Sequence, residues 1–261
     1  MMVPQLCNLG MSGFAFAGTD IGGFGADTTP ELLTRWIEAA AFSPLFRNHS
    51  CEGTRRQEPW QFGDEVVSVY RKYVKLRYRF LPYLYDLFYQ GEQTGLPVMR
   101  PLVLHYPDDP ETYNLNGEFL VGENLLAAPV LEQGATKKMV YLPAEDWYDY
   151  WTGEKICGGT YLLRDAPIDV CPLYVKAGSM IPQYEECSYV GQKPYDTLYL
   201  LATPEAAQYT HFQDNGEDYA YRAGAYNLYR FKKTENGILQ TTMLHEQYPK
   251  YKTILLKTIG N

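Results

Sequence analysis

The sequence lacks the features of a membrane protein or a nucleic-acid-binding protein. Its 261 residues contain no apolar stretch near the roughly 20 residues of a membrane span, and the first residues, MMVPQLCNLGMSG, do not have the pattern of a signal peptide. No cluster of Lys and Arg exceeds two residues, and 31 acidic residues against 23 basic ones give a formal charge of −8. We therefore expect neither nucleic acid nor a membrane as partner, because both are polyanionic surfaces.

Cysteine is scarce, and the cysteines present do not form a recognisable pattern. Their number is odd and no two have CxxC spacing: Cys7, Cys51, Cys157, Cys171 and Cys187. This excludes a disulfide framework or a zinc site as the basis of the fold, and it favours a reducing, cytoplasmic compartment. The phosphate-binding patterns GxGxxG and GxxxxGK[ST] are also absent. We therefore expect no metal and no cofactor.

One short stretch indicates a functional site. Residues 18–25 read GTDIGGFG, which sets Asp20 among four glycines directly after the apolar run GFAFA at 13–17. That run predicts a short buried strand of the parallel type, and PLFRNH at 44–49 predicts a second one that is also polar only at its end. The carboxyl ends of adjacent parallel strands meet at one edge of a sheet. Asp20 and His49 should therefore face one pocket, within about 10 Å of each other.

Helix signals surround these two strands. Residues 1–9 are predicted to be helical as far as Gly10, and a second helix is predicted to end near Phe42. Its start is either a capping box from Thr28 to Glu31 or a Thr29 cap followed by Pro30 at the first helical position. A long amphipathic helix is expected from Asp64, its predicted cap, with Pro82 dividing or kinking it.

From about residue 98 the pattern changes to short β segments separated by turn residues, as is typical of β-sandwiches. The order of elements predicts a piece of an α/β layer joined to two β modules. Two strands cannot close a barrel, which needs eight, so the α/β piece is expected to be incomplete. The 24 tyrosines are unusually many, and their flat apolar faces and polar tips suit sugar binding as well as packing.

Six motifs, in order along the chain, closely resemble glycoside hydrolase family 31, the retaining α-glucosidases and their relatives. They are GTDIGGF at 18–24, RWIEAAAFSPLFRNHS at 35–50, EPW at 58–60, YRKYVKLRYRFLPYLYDLF at 70–88, PVMRPL at 97–102 and WYDYWTG at 147–153. The resemblance implies an α/β plus all-β fold in three parts. Residues 1–97 would be the last two βα units of a TIM (β/α)8 barrel, 98–187 a proximal β-sandwich domain and 188–261 a distal one.

The resemblance also implies roles for four residues. Asp20 and His49 match family positions that hydrogen-bond to glucose hydroxyls in the −1 subsite, which binds the terminal sugar. Phe24 matches an aromatic residue that lines the pocket, and Arg47 matches a charge partner that orients it. The chemistry is suitable, because a carboxylate can accept from two hydroxyls and glycine lets the substrate come close to the backbone.

The catalytic carboxylates of the family lie upstream of the matched region, so we expect none here. A retaining mechanism needs two carboxyl groups about 5 to 5.5 Å apart. WTGE at 151–154 and QDNGED at 213–218 imitate the catalytic motifs, but they match turns of the proximal and distal domains. We therefore expect a chain that binds an α-linked oligosaccharide, depends on a missing N-terminal part of the same polypeptide and is inactive by itself.

Three alternatives remain open at this point. The two β domains could form a non-catalytic carbohydrate-binding or interaction module. The parent enzyme could act on another α-glycoside, as the α-xylosidases of the same family do. A phosphate-binding α/β protein is the third, although its only candidate anion site is the helix start at Thr28.

Overall fold

The computed structural model of the chain describes residues 2–260. Its first part is mainly helical, with two short strands that pair in parallel. These elements are α1 (Met2–Met11), β1 (Gly18–Ile21), α2 (Pro30–Ala40), β2 (Leu45–Asn48), α3 (Asp64–Arg79) and α4 (Leu81–Thr94). None of the helices within 2–260 is both long and apolar enough to cross a bilayer.

The prediction of a strand at 13–17 is wrong, because β1 begins only at Gly18. Phe14 and Phe16 in the predicted strand are 63% and 67% exposed. The backbone there ends α1 instead, with Gly13 at φ 91° and the Phe14 amide donating to Leu9 O at 3.0 Å. Such a left-handed glycine is a common helix ending. Asp20 therefore lies inside a strand rather than after one.

The predicted helix boundaries also shift. α1 continues through Gly10 to Met11, and α2 ends at Ala40 rather than near Phe42. Of the two predicted helix starts, the Thr29 cap is confirmed, since its hydroxyl accepts from Leu32 N at 3.1 Å and Pro30 is the first helical residue.

The long helix starts without the predicted cap. Asp64 is its first residue rather than its cap, because Gly63 at φ 94° occupies the cap position. The division near Pro82 is confirmed. α3 ends at Arg79, and α4 begins at Leu81 with Pro82 in its first turn.

A six-stranded sheet follows, with a two-stranded sheet packed against it. The sheet has the order β3-β4-β5-β10-β7-β8, and the smaller sheet pairs β6 with β9, antiparallel. The strands are β3 (Met99–Arg100), β4 (Phe119–Val121), β5 (Leu125–Ala127), β6 (Lys137–Leu142), β7 (Asp146–Asp149), β8 (Lys155–Cys157), β9 (Thr160–Asp165) and β10 (Leu173–Lys176).

The central strands of this sheet are buried on both faces. Along β4, Phe119 and Val121 belong to the hydrophobic cluster shared with the helices, whereas Leu120 belongs to the cluster shared with β6. Successive side chains of a strand point to opposite faces. The six-stranded sheet is therefore a middle layer between the helices and the β6–β9 pair, which explains why its strands β4 and β5 are continuously apolar.

The last part of the chain consists of two three-stranded sheets with a common core. They are β11 (Met180–Gln183), β12 (Thr197–Ala202) and β16 (Thr253–Thr258), and β13 (Ala207–Gln213), β14 (Asn227–Lys233) and β15 (Leu239–Glu246). Leu198 and Leu200 from the first sheet and Tyr229 and Phe231 from the second are buried together. β11 lies before the expected boundary at residue 187, yet it pairs with β12.

A buried polar network connects α4 to the last part. The carboxylate of Asp86 accepts from Phe212 N at 2.8 Å and from the Tyr209 hydroxyl at 3.0 Å, and it lies 2.8 Å from His211 Nδ1. Burial raises the pKa of Asp86, and these hydrogen bonds oppose the rise. Removing the Asp86 carboxylate would take this partner from all three buried groups at once, so the contact fixes α4 relative to β13.

A glycine turn connects β1 to the loop that follows it. Gly23 N donates to Asp20 O at 2.9 Å, and Gly22 and Gly23 have φ values of 90° and 94°. The turn is held from outside by Gln57, which is 4% exposed and donates through Nε2 to Gly23 O at 2.7 Å. A Cβ at Gly22 would overlap the Oε1 atom of Gln57. Glycine is therefore required at position 22, because the turn needs a positive φ there and has no room for a side chain.

We predict that Gly22→Ala lowers the free energy of unfolding by at least about 1 to 2 kcal/mol, because it adds left-handed backbone strain to an overlap with Gln57. Gly25→Ala is the matched control in the same loop. Its φ is not positive and its added Cβ would meet no atom within 4 Å, so its effect should stay within about 0.5 kcal/mol. Urea titrations of the two variants check this, and equal effects would contradict the account of the turn.

Candidate functional site

The parallel pairing of β1 and β2 places Asp20 directly opposite Arg47. Arg47 Nε donates to Asp20 Oδ1 at 3.0 Å, and Arg47 Nη2 makes a second hydrogen bond to the same oxygen. The Asp20 side chain is 22% exposed and the Arg47 side chain 53%. Because both Arg47 contacts use Oδ1, Asp20 Oδ2 stays available as an acceptor.

Alternation along the strands shows which face this pair occupies. In β1, Thr19 Oγ1 accepts from the indole of Trp36 in α2 at 2.8 Å. In β2, Asn48 Nδ2 donates to the Tyr70 hydroxyl of α3 at 3.3 Å. The neighbours Asp20 and Arg47 therefore point to the opposite face, away from the helices.

Phe24 and His49 form a second pair beside the first. Their ring centroids are 5.4 Å apart with an interplanar angle of 35°. The two loops are connected next to them, since Cys51 N donates to Phe24 O at 2.9 Å. Phe24 is 50% exposed. The pair therefore presents an apolar ring and an imidazole at the surface.

Two neighbouring cavities contain the four predicted site residues. Asp20, Phe24 and Arg47 line one cavity of about 700 Å³, which reaches around the edge of β1 opposite β2 to Gln5 of α1 and Trp36 of α2. His49 lines another of about 810 Å³. In the described residues Asp20 and His49 line separate cavities, which adjoin at the contact between Phe24 and His49. The reason is local, because β2 ends at Asn48, so strand alternation no longer directs the His49 side chain. That the two side chains face one pocket stays a prediction.

Three further residues shape the site and were not predicted from the sequence. Trp36 lines the Asp20 cavity, and Trp60 and Tyr70 line the His49 cavity. Burial raises the pKa of Tyr70, and its hydroxyl accepts from Asn48 Nδ2 at 3.3 Å. Trp60 is 68% exposed, and its place in the EPW motif was the only signal for it.

The arrangement suits an uncharged ligand rich in hydroxyl groups. A carboxylate oxygen accepts, a guanidinium donates, and an imidazole can do either, while the Phe24 ring supplies an apolar surface. Within residues 2–260, no group of three or more His, Cys, Asp and Glu side chains could hold a metal ion.

Comparisons with known proteins give matches to one family along the chain. The family model "Glycosyl hydrolases family 31 TIM-barrel domain" matches residues 1–87, and "Glycosyl hydrolase family 31 C-terminal domain" matches residues 95–181. Alpha-glucosidase 2 of Bacillus thermoamyloliquefaciens is 45% identical over 87% of this chain and 29% of its own length. The chain thus spans less than a third of that relative.

Solved structures show the same relationship. A family 31 dextranase of Flavobacterium johnsoniae, complexed with glucose, has a TM-score of 0.89 and 35% identity over 98% of this chain and 33% of its own. A family 31 α-xylosidase of Xanthomonas citri has a TM-score of 0.80 and 30% identity over 88% of this chain and 26% of its own. With both family models matching in order and α-glucosidases among its relatives, the chain belongs to glycoside hydrolase family 31.

Proposed function

We propose that this chain is the C-terminal portion of a retaining α-glucosidase that hydrolyses terminal α-glucosidic bonds in oligosaccharides. Residues 1–97 then form the last two βα units of the catalytic TIM barrel. Residues 98–187 form the proximal β-sandwich domain and 188–261 the distal one, to whose sheet β11 is added by its pairing with β12. The match to a barrel-domain model over residues 1–87 supports the first assignment, and the two pairs of packed sheets support the other two.

The observation that carries the proposal is the Asp20–Arg47 pair across two parallel strands. Arg47 holds one carboxylate oxygen and leaves the other to accept from a sugar hydroxyl. A hydrogen bond to a charged acceptor stabilises by about 1.5 to 3 kcal/mol. Asp20 thus binds and orients the terminal sugar, and Arg47 positions Asp20.

Phe24 and His49 complete the sugar contacts in this proposal. The exposed Phe24 ring packs against the apolar face of the sugar, and the imidazole of His49 hydrogen-bonds to a hydroxyl. Their 5.4 Å separation means that one sugar can contact both rings. The missing N-terminal part of the polypeptide would close the open side of the site and bring the two cavities into one pocket.

Glucose is the sugar that the comparisons favour. The α-glucosidase relative is 45% identical, whereas the α-xylosidase structure is 30% identical. Xylose differs from glucose by lacking the C6 hydroxymethyl group. Parallel assays of the full-length enzyme on aryl α-glucoside and aryl α-xyloside would decide between these substrates, and faster cleavage of the xyloside would replace α-glucosidase by the α-xylosidase alternative.

We predict that the 261 residues alone release no p-nitrophenol from the aryl α-glucoside. Cleavage needs one carboxylate to attack the anomeric carbon and another to protonate the leaving oxygen, and general acid help alone is about 10²- to 10⁴-fold. Asp20 is committed to Arg47 and to sugar hydroxyls, so it cannot supply either role. The control is His49→Ala. Turnover that this control abolishes would show that the chain carries a complete active site.

In the full-length enzyme, we predict that Asp20→Asn reduces transition-state stabilisation by about 2 to 4 kcal/mol, because hydrogen bonds to the sugar strengthen as the oxocarbenium ion forms. Both kcat and kcat/KM should fall. Asp27→Asn is the matched control. Asp27 Oδ1 accepts from Arg55 N at 2.6 Å in the adjoining loops but lines neither cavity. An unchanged kcat with only KM raised would show that Asp20 binds the ground state and the transition state equally.

A further inference from the structure

A group of tyrosines lies at the surface where α4 meets the turn after β13, far along the chain from Asp20. We call it the tyrosine patch, and it consists of Tyr85, Tyr89, Tyr219, Tyr221 and Tyr226. None of its members lines either cavity of the candidate site. The sugar-binding role proposed above does not use it.

Phe212 is the centre of the patch and is only 4% exposed. Tyr89 stacks on it from α4 at 4.2 Å with an interplanar angle of 10°. Tyr221 meets it edge-on at 6.1 Å, and Tyr226 lies at 5.3 Å. Aromatic pairs at these distances stabilise beyond the area that they bury. The patch is thus a packed surface built by two parts of the chain.

The turn that carries the outer tyrosines is held by its own acidic run. Asp214 Oδ1 accepts from Gly216 N at 2.9 Å, and both Asp214 oxygens accept from the Tyr85 hydroxyl, at 3.0 and 3.1 Å. Asp218 Oδ1 accepts from Ala220 N at 2.8 Å. These bonds explain the QDNGED run at 213–218 as a structural element. They also order the turn before any ligand arrives. Less conformational entropy is then lost when a ligand binds.

The outer edge of the patch has the chemistry of a sugar platform. Tyr219 is 71% exposed, and its ring centroid lies 6.3 Å from that of Tyr221 with an angle of 49° between the planes. The guanidinium of Arg222 lies 4.6 Å from the centre of the Tyr219 ring. Two flat rings thus flank a group with five N–H donors.

We propose that the tyrosine patch is a second carbohydrate-binding surface that holds an α-glucan chain away from the site of hydrolysis. A pyranose has an apolar C–H face, which packs on an aromatic ring, and hydroxyls at its edge, which accept from a guanidinium. The tilt between the Tyr219 and Tyr221 rings suits a curved chain, as α-linked glucans are. The choice of α-linked glucose units rests on the proposed function, whereas binding of a sugar rests on the patch itself.

Native gel electrophoresis with soluble dextrin in the gel tests this on the 261-residue chain. We expect dextrin to retard the wild-type chain, and Tyr219→Ala/Tyr221→Ala to raise the apparent dissociation constant at least about tenfold. Tyr113→Ala is the matched control, because Tyr113 is 55% exposed and donates its hydroxyl to Pro107 O at 2.9 Å in the proximal part. A far-UV circular dichroism spectrum and a thermal unfolding midpoint like those of the wild type show that the double variant is folded.

The outcomes separate this proposal from the proposed function. Loss of retardation in the double variant alone supports the patch, even if the full-length enzyme proves inactive on α-glucosides. No retardation of the folded wild-type chain overturns it. So does retardation that survives in the double variant but is lost in Asp20→Asn, because binding would then belong to the Asp20 cavity.

Discussion

The burial of one sheet on both faces holds the rest of this structure together. Phe119 and Val121 pack toward the helices and Leu120 toward β6, so the six-stranded sheet is the layer on which both neighbours rest. Burying a large apolar side chain stabilises by about 1.5 to 3 kcal/mol. The helical part contributes only two paired strands of its own, so it depends on this apolar layer, and on the Asp86 network at β13, for a fixed position.

The candidate site depends on strand register in the same way. A shift of one residue in the β1–β2 pairing would turn either Asp20 or Arg47 toward the helices. The register is secured on the helix side, where Thr19 bonds to Trp36 and Asn48 to Tyr70. Packing on one face of two four-residue strands thereby sets the geometry of an ion pair on the other face.

Much of this could be predicted from local sequence. Short-range signals predict three features: the Thr29 cap, the division at Pro82 and the change to β structure after residue 98. The order of the motifs along the chain indicated the family. The absence of a strand at 13–17 could not be predicted from these residues, because GFAFA has the composition of a strand. Only the turn at Gly13, just after α1, shows that the backbone is not extended there. Gln57 was missed because its role comes from a contact with Gly23, 34 residues away in the chain. The separation of His49 from Asp20 depends on where β2 ends, which composition does not fix.

We propose that Asp20 binds the terminal sugar through Oδ2 while Arg47 holds Oδ1 of the same carboxylate. A crystal structure of the full-length enzyme with glucose bound tests this most directly. The account predicts Asp20 Oδ2 within about 3.2 Å of a glucose hydroxyl, with the Arg47 contact to Oδ1 retained. Glucose bound beside the catalytic carboxylates with Asp20 in contact only with Arg47 would contradict it.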